Sequence, residues 1–178
     1  FAVSLVNGLA TLLVRPHRLP RMDFSDGIPP GFETLVVVPT MLVSPRNISN
    51  LIEGLEVRYL ANRDPHLRMG LLTDFRDSGT ETSPDDEDLL KLARAGIEAL
   101  NLKYRSDDTA PFLLLHRPRH WNPVEHSWMG FERKRGKLSD LNALLRGGSR
   151  AAFSLIVGDT SRLGDVRYAG GALEFPSR

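Results

Sequence analysis

An α/β fold with a mainly parallel sheet is what this sequence predicts, and three observations carry the prediction. Short runs rich in valine and leucine recur along the chain, stretches with helical apolar spacing separate them, and serine–proline or acidic signals mark where helices start. Strands that alternate with helices need crossover connections, which are right-handed and leave the strands parallel. With 178 residues, 41% of them hydrophobic, the chain can bury a sizeable core as one domain.

The elements follow in order. Residues 1–14, FAVSLVNGLATLLV, carry no charge. They are fewer than the roughly 20 apolar residues that a membrane span needs. They are read as the end of a transmembrane helix, because Arg15, His17, Arg18 and Arg21 follow at once and basic residues favour the cytoplasmic flank. Residues 15–33 hold four of the 12 prolines and read as a juxtamembrane linker.

The globular part is expected over 34–168. TLVVVPTML is a short apolar run suited to a strand covered on both faces, with Pro39 expected to end its regular pairing because it has no N–H to donate. Ser44 and Pro45 predict a capped helix whose apolar face is Ile48, Leu51, Ile52, Leu55 and Tyr59. HLRMGLLTDF is a second strand. Ser83-Pro84-Asp85-Asp86 predicts a second helix with Ser83 as cap, and Leu89, Ala93, Ile97 and Leu100 as its buried stripe. PFLLLHR is a third strand, Leu138, Leu141, Leu144 and Leu145 line a third helix, and FSLIVGD is a fourth strand. Residues 169–178, AGGALEFPSR, lack strand-like alternation and read as an atypical tail.

Composition excludes several classes. A formal net charge of +1 makes no case for nucleic acid as a partner. Without cysteine there is no disulfide scaffold, zinc-thiolate site or cysteine nucleophile. The spacing of His116, His120 and His126 does not suit zinc, Ser127 lacks a nucleophile-elbow context, and neither a phosphate-binding P-loop nor a dinucleotide glycine motif occurs.

Ligands of open parallel sheets gather beyond the carboxyl ends of the strands. That rule selects Pro39 and Thr40, then Asp74 and Asp77, then Arg117 and Arg119, and the GDTSR segment. Asp74 and Asp77 can accept hydrogen bonds from a base or ribose, or cap loop N–H groups. Arg117, Arg119, Arg133, Lys134, Arg135 and Lys137 can converge on phosphate oxygens, or form a solvated loop. Lys137 is placed just inside the third helix, where backbone N–H groups also attract anions. Trp121 and Trp128 flank Asn122, Glu125 and His126, and can stack on a sugar or base or serve as core corners with a polar tip.

Four passages together resemble the glycosyltransferase core of bacterial cyclic β-1,2-glucan synthases of the NdvB/ChvB type, glycosyltransferase family 84. They are LPRMDFSDGIPPGFETLVVVPTML, LIEGLEVRYLANRDPHLRMGLLTDFRD, HRPRHWNPVEHSWMGFERKRGKLSDLNALLRG and FSLIVGD. The resemblance implies a GT-A-like nucleotide-sugar fold at the bacterial inner membrane, on its cytoplasmic side, with UDP-glucose as donor and β-1,2-glucan as acceptor. By the same resemblance Pro39 and Thr40 border the uracil. Asp74 bonds the base, with Asp77 second in line. Gly136, Lys137, Leu141 and Asn142 match a G-K-x-x-x-L-N pattern on the diphosphate side, beside Arg133 and Arg135.

One departure stands out. The family carries an Asp-x-Asp motif for Mg²⁺ or Mn²⁺ after the DVRY segment, whereas here the chain reads DVRYAGGALEFPSR. No metal ligand is therefore assigned in this chain, the catalytic base is expected beyond it, and the fold is expected to be incomplete at the C-terminus, giving a part inactive alone. The contrasting expectation is a non-catalytic, membrane-proximal module that binds anions or assists assembly.

Overall fold

In a computed structural model the described residues are Val3, Ser4, Val6, 27–105 and 110–171. Most of the expected transmembrane end and of the expected linker lies outside them, as do 172–178. Among the described residues no helix is long and apolar enough to cross a membrane.

β1 (Thr34–Leu42) is followed by α1 (Pro45–Ala61), β2 (Leu67–Phe75), α2 (Asp86–Tyr104) and β3 (Phe112–His116). A hairpin of β4 (His120–Asn122) and β5 (Ser127–Met129) leads to α3 (Arg133–Leu145), β6 (Leu155–Val157) and β7 (Tyr168–Gly171). The main sheet has the order β6-β3-β2-β1-β7. β1, β2, β3 and β7 are parallel, and β6 is antiparallel to β3. The expected α/β architecture with a mainly parallel sheet is present.

The first helix starts as its sequence dictates. Ser44 Oγ accepts from Asn47 N at 3.2 Å and Pro45 opens the helix. Ile48, Leu51, Leu55 and Tyr59 are buried with Ile52 packed beside them. The second helix differs from expectation. Ser83 and Pro84 form a turn before it, and α2 begins at Asp86, whose Oδ2 accepts from Ser83 N at 2.7 Å. That bond fixes the turn before the helix, and no side chain caps the first helical N–H groups of α2. α1 and α2 cover one face of the sheet. On the other face Leu141 and Leu144 of α3, with Phe153 and Leu163, cover Leu35, Val37, Leu72, Leu113 and Leu115.

Pro39 does not end the pairing of β1, which stays in register with β2 from Thr34 to Leu42. Thr34 N points to β2, donating to His66 O at 2.9 Å. Successive residues alternate sides, so the ring nitrogen of Pro39 faces away from β2, on the β7 side, where pairing among the described residues reaches Val37. No bond of the β1–β2 ladder is lost. β7 also includes Ala169, Gly170 and Gly171, which the sequence reading assigned to an atypical tail. Parallel pairing uses backbone groups only, so a glycine-rich segment without alternation can supply it.

After β6 the chain crosses the amino ends of the strands to reach β7 at the opposite edge. Arg68, buried in β2, donates to Asp159 O at 2.9 Å and lies 3.4 Å from Asp159 Oδ2. Arg162 donates to Glu33 Oε1 at 2.7 Å, the oxygen also met by His66 Nδ1 at 2.9 Å. These contacts fix the reversal that puts β7 and β2 on opposite sides of β1. Arg68→Met is expected to lower unfolding free energy by about 1.5–3 kcal/mol, the usual cost of losing charge-assisted hydrogen bonds. Urea denaturation monitored by circular dichroism measures it.

Candidate functional site

β1 and β2 end side by side, Thr40 opposite Thr73 and Met41 opposite Asp74. Beyond them lies a cavity of about 200 Å³ lined by Pro39, Thr40, Met41, Asp74, Phe75, Asp77, Gly130, Arg133, Lys134 and Lys137. Its floor is an ion pair. Lys137 Nζ lies 2.7 Å from Asp74 Oδ1, and both side chains are almost wholly buried. Lys137 also donates to Thr40 O, so it joins the ends of both strands. Thr40 therefore contributes its carbonyl to the site.

Burial raises the Asp74 carboxyl above the ordinary carboxylate range, and Asp77 adds to this. Lys137 and then Arg117 oppose it.

Two glycines permit this packing. A Cβ on Gly130 would lie 2.1 Å from Asp74 Oδ2, and one on Gly136 would lie 2.1 Å from Phe131 O. The chain enters α3 through Glu132 and Arg133 in the left-handed region, at φ 50° and 45°. For non-glycine residues that conformation costs about 1–3 kcal/mol each and persists only where the surroundings hold it. Here Arg133 lies 2.8 Å from Asp77 Oδ2 and 3.7 Å from Glu125 Oε2.

The cavity brings together Pro39, Thr40, Asp74, Asp77, Arg133 and Lys137 of the residues named from sequence. Arg135, Gly136 and Asn142 are not among its lining residues. The helical period explains this, since Arg135 and Asn142 lie well over 100° around α3 from Lys137. Arg135 is 84% exposed and pairs with Glu132, Asn142 is exposed, and Gly136 is buried against Phe131. Lys137 is not at the helix start either. α3 begins four residues earlier, so Lys137 sits past the unsatisfied N–H groups of the first turn.

Arg117 and Arg119 do not join the phosphate-facing group. Arg117 is buried, bonded to Asp140 Oδ2 at 2.8 Å and Phe131 O at 2.9 Å, and so fixes the start of α3. Arg119 grips Asp86 with both terminal nitrogens, donates to Arg76 O at 2.6 Å, and lies over the Phe75 ring. Lys134 lines the cavity and makes no ion pair among the described residues.

Sequence reasoning missed Gly130 and His116. A lone glycine just after a strand signals close backbone approach, and that could have marked Gly130. His116 ends β3 fully buried, with Nδ1 2.9 Å from Thr73 Oγ1 and no partner at Nε2. No local pattern foretells that.

Among the described residues no three or more His, Asp or Glu side chains converge as a metal ligand set. Asp74 and Asp77 face a lysine and an arginine instead. The residues present do not fit Mg²⁺ or Mn²⁺.

These features define an α/β domain with a charged cavity at the carboxyl end of a mainly parallel sheet, beside a buried acid–lysine pair. No family model matches the chain. It is 44% identical over 152 residues to cyclic beta-(1,2)-glucan synthase NdvB of Rhizobium meliloti (strain 1021). The match takes in 85% of this chain and 5% of that protein. Over this segment the chain is similar to that synthase.

Two predictions follow from the buried charges. Lys137→Met leaves Asp74 buried without its cation, which is expected to cost about 3–5 kcal/mol in denaturant titration. Adding Asp74→Leu is expected to restore part of it. His116 is held neutral down to about pH 3, chiefly by burial, with Lys137 and Arg119 assisting and Asp86 opposing. An unfolded histidine titrates near 6.5. Between those values the unfolded chain binds the proton and the folded chain does not. The histidine's contribution is thus fully present above about pH 6.5 and falls by up to about 1.4 kcal/mol per unit as pH drops toward 3. Denaturant midpoints at pH 7, 6 and 5 are expected to fall more steeply than those of His116→Gln.

Proposed function

We propose that this chain forms the nucleotide half of the donor site in a GT-A-type glycosyltransferase that builds cyclic β-1,2-glucan from UDP-glucose. The observation that carries the reading is the Asp74–Lys137 pair at the joined ends of β1 and β2, in a segment matching a glucan synthase. Parallel sheets bind nucleotides at this place. The Asp74 carboxylate offers acceptors to a base N–H, while Arg133, Lys134 and Lys137 supply positive charge for a diphosphate. In the whole enzyme such charge stabilises the leaving nucleoside diphosphate as the glycosidic bond to it breaks.

The rim pair suits ligand exchange. Arg133 is 59% exposed, so its contact with Asp77 is weak and a phosphate can replace the carboxylate. Lys137 is buried and partnered, and is better placed to hold Asp74 in position than to reach outward. No carboxylate at the cavity stands apart from a cation, so these residues are expected to bind and not to turn over donor alone. A membrane-bound home for the whole protein, facing the cytoplasm, is part of the same proposal.

Calorimetric titration with UDP and UDP-glucose tests the reading. Saturable binding is expected, with Asp74→Asn weakening it by at least about tenfold, the size of one lost charge-assisted hydrogen bond. Arg133→Ala is expected to weaken UDP more than uridine, because its loss removes a phosphate contact. A chain that keeps its native circular dichroism and melting transition yet binds neither nucleotide would overturn the proposal.

A further inference from the structure

The β4–β5 hairpin carries an aromatic pair that neither the core nor the cavity uses fully. Trp121 and Trp128 stand directly opposite each other. Trp128 directs its N–H and C=O away from β4, to Ser78, at 2.8 and 2.9 Å. The two residues thus form a non-hydrogen-bonded pair, whose side chains approach most closely. Their ring centroids are 6.0 Å apart, and the His126 ring lies 6.4 Å from Trp121. Pairing of this kind holds together a hairpin with three-residue strands, but it leaves Trp121 48% exposed.

The surroundings of that exposed ring indicate its occupant. His126, exposed, lies edge-on to the ring and brings a polar imidazole to its border, and Glu125, also exposed, precedes it in the same turn. Asn122 accepts from Val124 N at 3.0 Å and from Glu125 N at 3.3 Å, which fixes the turn that presents them. An apolar plate with polar groups at its border matches a pyranose, which offers C–H bonds on a face and hydroxyls at its rim. An anionic membrane surface fits less well. In the basic run after the hairpin, Arg133 is matched by Asp77 and Glu125 and Arg135 by Glu132. That leaves Lys134 as a single cation without an ion pair among the described residues, less than the cluster of basic residues that an anionic membrane attracts.

The hairpin is also tied to the cavity wall without being part of its lining. Trp128 pairs with Ser78 in the loop after β2, Glu125 meets Arg133, and Gly130 follows β5 directly. Trp121 is not among the residues that line the cavity.

We propose that Trp121, bordered by His126, is a binding site for pyranose faces of a β-linked glucan, separate from the nucleotide cavity. It rests on the glucan-synthase reading and holds the chain of sugars beside the donor site without taking part in bond formation.

The test uses the chain carrying Trp128→Phe, so that Trp121 alone reports, titrated with a purified linear β-1,2-glucan oligosaccharide. A saturable change in tryptophan emission is expected, unaffected by UDP. By calorimetry, Trp121→Leu in the native background, which keeps an apolar partner for Trp128 but removes the ring, is expected to weaken oligosaccharide binding at least about tenfold. Its melting transition and UDP affinity are expected to stay unchanged. Oligosaccharide binding without UDP binding supports this platform while overturning the nucleotide reading. UDP binding with no oligosaccharide response overturns the platform alone. A response to anionic phospholipid vesicles but not to the oligosaccharide overturns it in favour of a membrane contact, and undiminished binding by Trp121→Leu overturns the role of the ring.

Discussion

The contact on which the carboxyl end of this sheet depends is the buried ion pair between Asp74 and Lys137. It ties the last turn of β2 to the second turn of α3, and through Thr40 O it includes the end of β1 as well. A pair so little exposed loses most of its hydration, so either charge alone would be strongly disfavoured there. That makes the position of α3 closely defined. Only one rotation of the helix brings Lys137 to the carboxylate, and the same rotation puts Leu141 and Leu144 against the sheet.

Other features serve that placement. Arg117 crosses from the end of β3 to Asp140 and to the carbonyl of Phe131, fixing the helix along its axis. Gly130 and Gly136 let backbone approach Asp74 and Phe131 more closely than any side chain would allow. The left-handed turn at Glu132 and Arg133 then brings the chain round into the helix, and leaves the Arg133 side chain at the cavity mouth beside Asp77. The result is two layers of charge. The lower layer is buried and fixed, whereas the upper is half in water and open to exchange, an arrangement that suits reversible capture of an anion.

Much of the scaffold was legible locally. The cap at Ser44, the apolar stripes of α1 and α2, and the continuous apolar strands each depend on neighbours within a few residues, so the sequence displays them directly. The cavity residues were partly legible by one geometric rule, that parallel strands present their ligands at their carboxyl ends. Asp74, Asp77, Pro39 and Thr40 followed from it. The basic residues were harder to sort, because six cations in a short stretch look alike in sequence. Arg117 and Arg119 proved to be internal struts for Asp140 and Asp86, Arg135 turned outward to Glu132, and Lys137 turned inward.

The chain by itself determined its class: an alternation of strand and helix, and a low net charge that gives no case for nucleic acid. These are properties of periodicity and composition, set by residues near one another in the sequence. Only the tertiary structure decided which side of β1 the ring nitrogen of Pro39 faces, how β6 runs, and that Ala169–Gly171 pair as a strand. It alone decided which cation meets Asp74. Those outcomes rest on contacts between residues dozens of positions apart, where the rotation of one helix and the hydration lost by a buried charge choose among side chains that the sequence leaves equivalent.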